Sequence, residues 1–402
     1  MTWQGATSMN IPAFPRRTML ILAIVFLVSS LAVDLISPVW PIFINSTLGA
    51  SMTELGFLFA ISNAVAAVMQ IPAGFLSDMY GRKRLHVLGS FLAVFPPLIY
   101  ILAVNWLDLV PWVMLSGFAT GLYLPIRWAI VADVSSSDSM ASAYSWTNIS
   151  WLIGSTAAPF LGGILADLYG IHSPFIICFL LRFSVVPLTL LIEETRRKPQ
   201  INPTSHPEVQ TTIGQRNLYP MIVFSVINIV QGLGMGVTGP IFPIFAISSF
   251  AVDYTFIGIL FAVGFGIASM IVQLPGSRCS DMFDRRKVMF VTFLASSPFF
   301  LIFAFSRSSI EMILFMFLSN AILNLSWSPF QTLMMDSTPP SKWGLVNGIS
   351  AMTFWIGILI GNTLSGILWD SWGMLAPFSI SSIAIALSAF PLILLKETKS
   401  SK

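Results

Sequence analysis

Charge is scarce in this chain: Asp, Glu, Lys and Arg together make up 9% of its 402 residues, against about a quarter in a water-soluble protein. So little polar surface excludes a soluble enzyme, a disordered segment and a secreted scaffold. Cysteine is nearly absent, with only Cys178 and Cys279, so no disulfide framework is implied. There are three histidines and no His-Glu-x-x-His run, and neither a metal nor a cofactor is expected. Paired acids are missing from the apolar runs, which excludes an intramembrane enzyme. A G-x-x-x-x-G-K-[ST] phosphate loop is missing too, which excludes a nucleotide-driven pump. Nothing suggests a nucleic-acid partner. What the chain has in quantity is apolar surface: 55% hydrophobic residues, 33 Phe and a mean hydropathy of +0.83. Its surface must face lipid.

A bilayer core of about 30 Å takes roughly 20 apolar residues in a helix. Runs of that length fall near 18–44, 54–77, 85–104, 109–132, 141–166 and 173–193, then near 217–248, 254–277, 288–306, 310–335, 344–369 and 374–395. The expectation is an all-α membrane protein of 12 spans. The polar stretch 194–216, rich in Pro, Thr and charge, reads as a linker between a first bundle (1–193) and a second (217–402). On this map the bases collect on one side, at Arg16 and Arg17, Arg82 to Arg84, Arg196 to Lys198, Arg216, Arg278, Arg285 to Lys287, Lys342, and Lys396, Lys399 and Lys402. Arg307 alone lies opposite. Such a bias places both termini and the linker in the cytoplasm of a cell-membrane protein. The first run exceeds the 7–15 residues of a signal-peptide core and is expected to stay in the protein.

The chain is written twice. Shifted by 203, QIPAGFLSDMYGRKR from Gln70 lies over QLPGSRCSDMFDRRK from Gln273. Gly163-Ile164-Leu165 and Asp167 lie over Gly366-Ile367-Leu368 and Asp370, and Pro174-Phe175 over Pro377-Phe378. One residue short of that shift, Pro38 and Pro41 match Pro240 and Pro243, and GFLFA from Gly56 matches GILFA from Gly258. A register kept across six spans means two copies of one six-helix unit in parallel orientation, with a binding site at their interface near the bilayer midplane.

The stretch Gly74-Phe75-Leu76-Ser77-Asp78-Met79-Tyr80-Gly81-Arg82-Lys83 resembles the signature loop of the major facilitator superfamily, G-x-L-[AS]-D-[RK]-x-G-R-[RK], with Met79 in place of a base. Ser280-Asp281-Met282-Phe283-Asp284-Arg285-Arg286 is its degenerate second copy. Leu233-Gly234 followed by Pro240 and Pro243, and Ala158-Pro159-Phe160-Leu161-Gly162-Gly163, are similar to motifs of the twelve-span drug/proton antiporter branch. That branch's usual Arg in span 4 is Val113 here. The resemblance implies a gate at Gly74, Asp78, Gly81 and Arg82 and at Asp281 and Arg285. Asp78 would meet the start of span 11 near Trp343 when the cytoplasmic side is shut, Arg82 would pair with Asp133, and Arg285 with Asp336.

In relatives, spans 1, 4, 7 and 10 line the cavity. In span 4, Ser116, Thr120, Tyr123 and Arg127 share one helical face, and a shift of 204 gives Asn320, Asn324, Trp327 and Gln331 in span 10. Polar groups in lipid are costly, so the two stripes are expected to face each other across substrate. Gln231, with Asn228 and Thr238, adds a polar face in span 7; Asn63 in span 2 reads equally as glue between helices. Three ionisable groups lie within the hydrocarbon: Asp34, Arg127 and Arg182. Depth favours an Asp34–Arg182 pair and cavity lining favours Asp34 with Arg127; the sequence leaves both open. A carboxylate's proton affinity rises on burial and falls beside an arginine, so proton coupling would run through Asp34. The expectation is a monomeric secondary transporter in the lipid bilayer that exports small amphipathic or cationic compounds in exchange for protons. The alternative is uptake of a nutrient such as a sugar or organic anion, anchored by Arg127 and Arg182.

Overall fold

The computed structural model describes residues 16–135, 140–195, 219–338 and 343–395. Most of the expected linker, Lys342, the final bases and the side chain of Asp281 lie outside the described residues. The fold is the expected one, two six-helix bundles. Among the described residues, 11 helices are long and apolar enough to cross a membrane. Span 3 completes the twelve as two pieces, Arg82–Leu92 and Phe95–Tyr100. Its first turn carries three bases, and Pro96 and Pro97 withhold the N–H groups that would join the pieces.

Spans 1 and 7, expected as continuous runs, are broken. Span 1 is helical over Arg16–Leu35, turns, and resumes as Trp40–Ile42 and the π-helical Phe43–Thr47. Span 7 runs Tyr219–Thr238 and resumes at Phe242–Phe250. The breaks sit at Pro38 and Pro240, the same register of the repeat. Span 10 is likewise divided into Ser309–Asn324 and Trp327–Asp336. Spans 2 (Met52–Tyr80), 5 (Met140–Tyr169) and 11 (Trp343–Trp372) are long and unbroken. Span 4 is Val110–Val134 and span 6 is Ser173–Leu190. Span 8 runs from Tyr254 to Met282 through a π-helical turn at Ala262–Ile267. Span 9 is Arg285–Ile302 and span 12 Leu375–Leu387.

A duplicated aromatic cluster anchors each broken span. In the first half Trp40 packs on Tyr100 (centroids 4.2 Å apart) and Phe43 on Phe175 (5.0 Å). The repeat supplies Phe242 on Phe303 (5.0 Å) and Phe245 on Phe378 (4.9 Å). Tilted and edge-on contacts of this kind add about 0.5–1.5 kcal/mol per pair beyond buried area, so the segment after each break is held by rings rather than by backbone continuity.

The halves meet through span 2 on span 11 and span 5 on span 8. At the end remote from the basic loops the backbones touch: a Cβ on Gly366 would lie 1.8 Å from the Met52 carbonyl oxygen, and one on Gly163 2.3 Å from that of Tyr254. At the basic end of the same spans 2 and 11, Gly74 and Gly348 face open space. Among the described residues, spans 2 and 11 are therefore in backbone contact at one end and apart at these positions of the other.

Candidate functional site

The two helix breaks meet at a cavity of about 430 Å³ between the halves. Ile36, Ser37, Trp40 and Pro41 line it from one break, and Thr238, Gly239, Pro240 and Phe242 from the other. Discontinuous helices at a repeat interface are where secondary transporters place their binding sites. Rings of Phe59, Phe261, Phe265 and Phe300 complete the wall, and Asn63, Asn320 and Asn362 supply its polar groups. Asp34 is the single ionisable residue on the wall. Its Oδ2 is buried with no hydrogen-bond partner among the described residues.

Neither arginine forms an ion pair with Asp34, and neither lines this cavity. Arg182 borders a small space with Tyr123, Ser29 and Ser90, its Nε buried without a hydrogen-bond partner among the described residues, and the nearby Cys178 thiol donates to the Ala32 carbonyl oxygen of span 1 at 3.0 Å. Arg127 sits in an aromatic box, its guanidinium carbon 4.1 Å from the Trp151 ring centroid, 4.7 Å from Phe26 and 5.3 Å from Trp128. A desolvated cation–π contact contributes about 2 kcal/mol, and a planar guanidinium stacks where an ammonium cannot. Arg127→Lys is therefore expected to lower the thermal midpoint of the detergent-solubilised protein by several degrees; an unchanged midpoint would remove the box as a stabilising element.

The expected pairing of polar stripes needs correction on one side. Ser116, Thr120, Tyr123 and Arg127 line neither this cavity nor the wider crevice at the basic end. Tyr123 instead packs within its own half, stacked against His86 of span 3 (6.3 Å) and bordering the same small space as Arg182. Helical spacing puts these residues on one face, and span 3 occupies the space that face looks into. The second stripe does reach the interface. Asn320 lines the central cavity, Asn324 donates to the Asn320 carbonyl at 2.8 Å, and Trp327 and Gln331 line a crevice of about 690 Å³ at the basic end together with Gln231 and Asn228. Trp327 is 58% exposed to that crevice.

Around the signature loop, Arg82 Nη1 lies 2.7 Å from Asp133 Oδ2 and donates to the Ala129 carbonyl at 2.7 Å. Arg285 pairs with Asp336 in the second half. Gly81 has φ 103°, which a side chain would strain, and a Cβ there would strike the Glu194 carboxylate, which accepts from Lys83 N at 3.3 Å. Asp78 is 69% exposed and lies 3.4 Å from Arg82 in its own half. Residues 339–342, just before span 11 where its expected partner lies, are outside the described residues.

The aromatic wall and Asn362 were not singled out from sequence. The signal was the repeat itself, since Trp40 and Phe242 occupy equivalent positions directly after the proline breaks.

The comparisons agree with this geometry. The Major Facilitator Superfamily model matches residues 22–227 and 224–402. An uncharacterized MFS-type transporter, MJ1560, of Methanocaldococcus jannaschii is 23% identical over 88% of this chain and 91% of its own. The multi-drug resistance efflux pump PmrA of Streptococcus pneumoniae is 22% identical over 89% and 90%. Among solved structures, a mutant of the nucleoside transporter NupG superposes with a TM-score of 0.78 at 13% identity, covering 94% of this chain and 99% of that one. Twelve spans in two repeated bundles, a cavity where their broken helices meet, and a family model matched on both halves make this chain a member of the Major Facilitator Superfamily, an integral membrane transporter and not an enzyme.

Proposed function

We propose that the protein exports small lipophilic cations from the cytoplasm in exchange for protons, as a monomer, with the basic end of the bundle and both termini on the cytoplasmic side. The observation that carries this reading is Asp34, a lone carboxylate opening into an aromatic-walled cavity between the halves. Flat rings give apolar contact and cation–π attraction to a lipophilic cation. The carboxylate can hold either that cation or a proton, so the two compete for one charge, and competition for one site is the minimum an exchanger needs. A relative named as a multi-drug resistance efflux pump and another named as a multidrug resistance protein support the same direction. Uptake of an organic anion has less support, because neither Arg127 nor Arg182 lines the cavity and Arg127 is enclosed by rings.

The test is ethidium accumulation in everted membrane vesicles. With an acid lumen, vesicles containing the protein are expected to accumulate ethidium and to release it when the gradient is collapsed. Accumulation indifferent to the gradient, or co-directional movement of protons with a sugar or an organic anion, would contradict the proposal. A second expectation concerns the gate. Closing the cytoplasmic end brings Asp78 to the N-terminal amides of span 11, a charge–helix contact of about 0.5–2 kcal/mol. Asp78→Asn should slow ethidium transport roughly 3- to 30-fold by the same energies while membrane insertion stays normal. Undiminished transport in that variant would remove the gate role.

A further inference from the structure

The closed end of the bundle carries two carboxylates that cross from one half to the other. Asp167, at the end of span 5, accepts hydrogen bonds from the backbone amides of Tyr254 (3.1 Å) and Thr255 (2.6 Å), the first residues of span 8. Asp370, at the end of span 11, accepts from the Thr53 amide (2.8 Å) and hydroxyl (2.6 Å) at the start of span 2. The two acids are equivalent in the repeat, and so are Thr53 and Thr255, so the contacts form a reciprocal pair about the axis that relates the halves. Each places a negative charge on otherwise unpaired N-terminal amides at the positive end of a helix dipole. Each also sits beside the close backbone contacts that shut this end.

We propose that Asp167 and Asp370 are paired latches that hold the transporter shut at this end, positioning residues that must let go for the cavity to open to the outside. Span 2 shows why the two ends alternate. Its N-terminus receives Asp370 from the other half, whereas its own carboxylate at the opposite end, Asp78, is 69% exposed and lies against Arg82 of its own half. A rocking motion that breaks the first contact carries the second toward its partner.

The side labels rest on the orientation proposed above, and the experiment separates that question from this one. A reporter cysteine at Ser37 on the cavity wall is labelled with a membrane-impermeant maleimide, from outside in intact cells and from the basic side in everted vesicles, and is read by peptide mass. In the parent protein, labelling should be fast from the basic side and slow from outside; an inverted orientation would exchange the two sides before any latch is altered. Asp167→Asn and Asp370→Asn should each raise the outside rate about tenfold, the scale of losing a hydrogen bond to a charged group, and lower the basic-side rate. Glu at either position should restore slow labelling. Unchanged rates in both Asn variants would overturn the proposal. Should those variants fail to accumulate, the double variant Thr53→Cys with Asp370→Cys decides. Its copper–phenanthroline crosslink should abolish outside labelling and spare basic-side labelling, and failure to crosslink, or outside labelling that survives the crosslink, would overturn it. Neither arm reads transport, so the outcome is independent of whether cations are the cargo.

Discussion

Asp34→Asn is expected to cut proton-driven export by about 100-fold, the scale on which loss of a positioned proton-transfer group shows, and to leave downhill movement of cargo measurable. The distinction follows from the cavity. Six aromatic rings line it, and their contacts survive the substitution. What the amide removes is the one charge for which proton and cargo compete, and no second acid lines the wall to replace it. The arginines stand back: neither lines the cavity or pairs with Asp34, and Arg127 is enclosed by three rings. The check is ethidium flux in proteoliposomes with and without an imposed pH gradient. Equal driven export by Asp34→Asn and the parent would remove Asp34 from the coupling.

The second large effect is expected at Gly366. A Cβ there would lie 1.8 Å from the Met52 carbonyl oxygen, which is backbone and cannot step aside as a flexible side chain can. Gly366→Val therefore requires spans 2 and 11 to separate at the closed end. Overpacking of this kind costs about 1–3 kcal/mol; about 2 kcal/mol corresponds to roughly 30-fold in the equilibrium between closed and open forms. Turnover should fall by a similar factor, since a transporter that cannot shut one end cannot complete its cycle, while the protein still inserts and folds. Gly163→Val at the equivalent contact with span 8 should behave alike. Normal turnover in both would show that the crossing tolerates a wider gap than the structure has.

Membrane architecture was legible in this sequence because lipid leaves few choices: backbone polar groups must be satisfied within a helix, so apolar length alone locates spans. The duplication was legible because equivalent positions do equivalent work, as the Gly163/Gly366 and Asp167/Asp370 pairs show. Hydropathy did not reveal the breaks at Pro38 and Pro240, since it measures length and not backbone continuity, although the prolines themselves were in view. Nor did helical spacing reveal where the span 4 stripe points. Period 3.6 places Ser116, Thr120, Tyr123 and Arg127 together, but which neighbour they meet depends on packing, and His86 and Arg182 lie there. Arg127 illustrates the limit: its partners Phe26 and Trp151 come from spans 1 and 5, far apart in sequence and ordinary for lipid-embedded helices.

The central claim is that a cation and a proton exchange places on Asp34. It is tested most directly by adding tetraphenylphosphonium to the purified protein in weakly buffered detergent solution and following released protons with a pH indicator. The account predicts proton release from the parent that saturates with cation binding, and none from Asp34→Asn. Cation binding without proton release in the parent, or equal release from the variant, would contradict it.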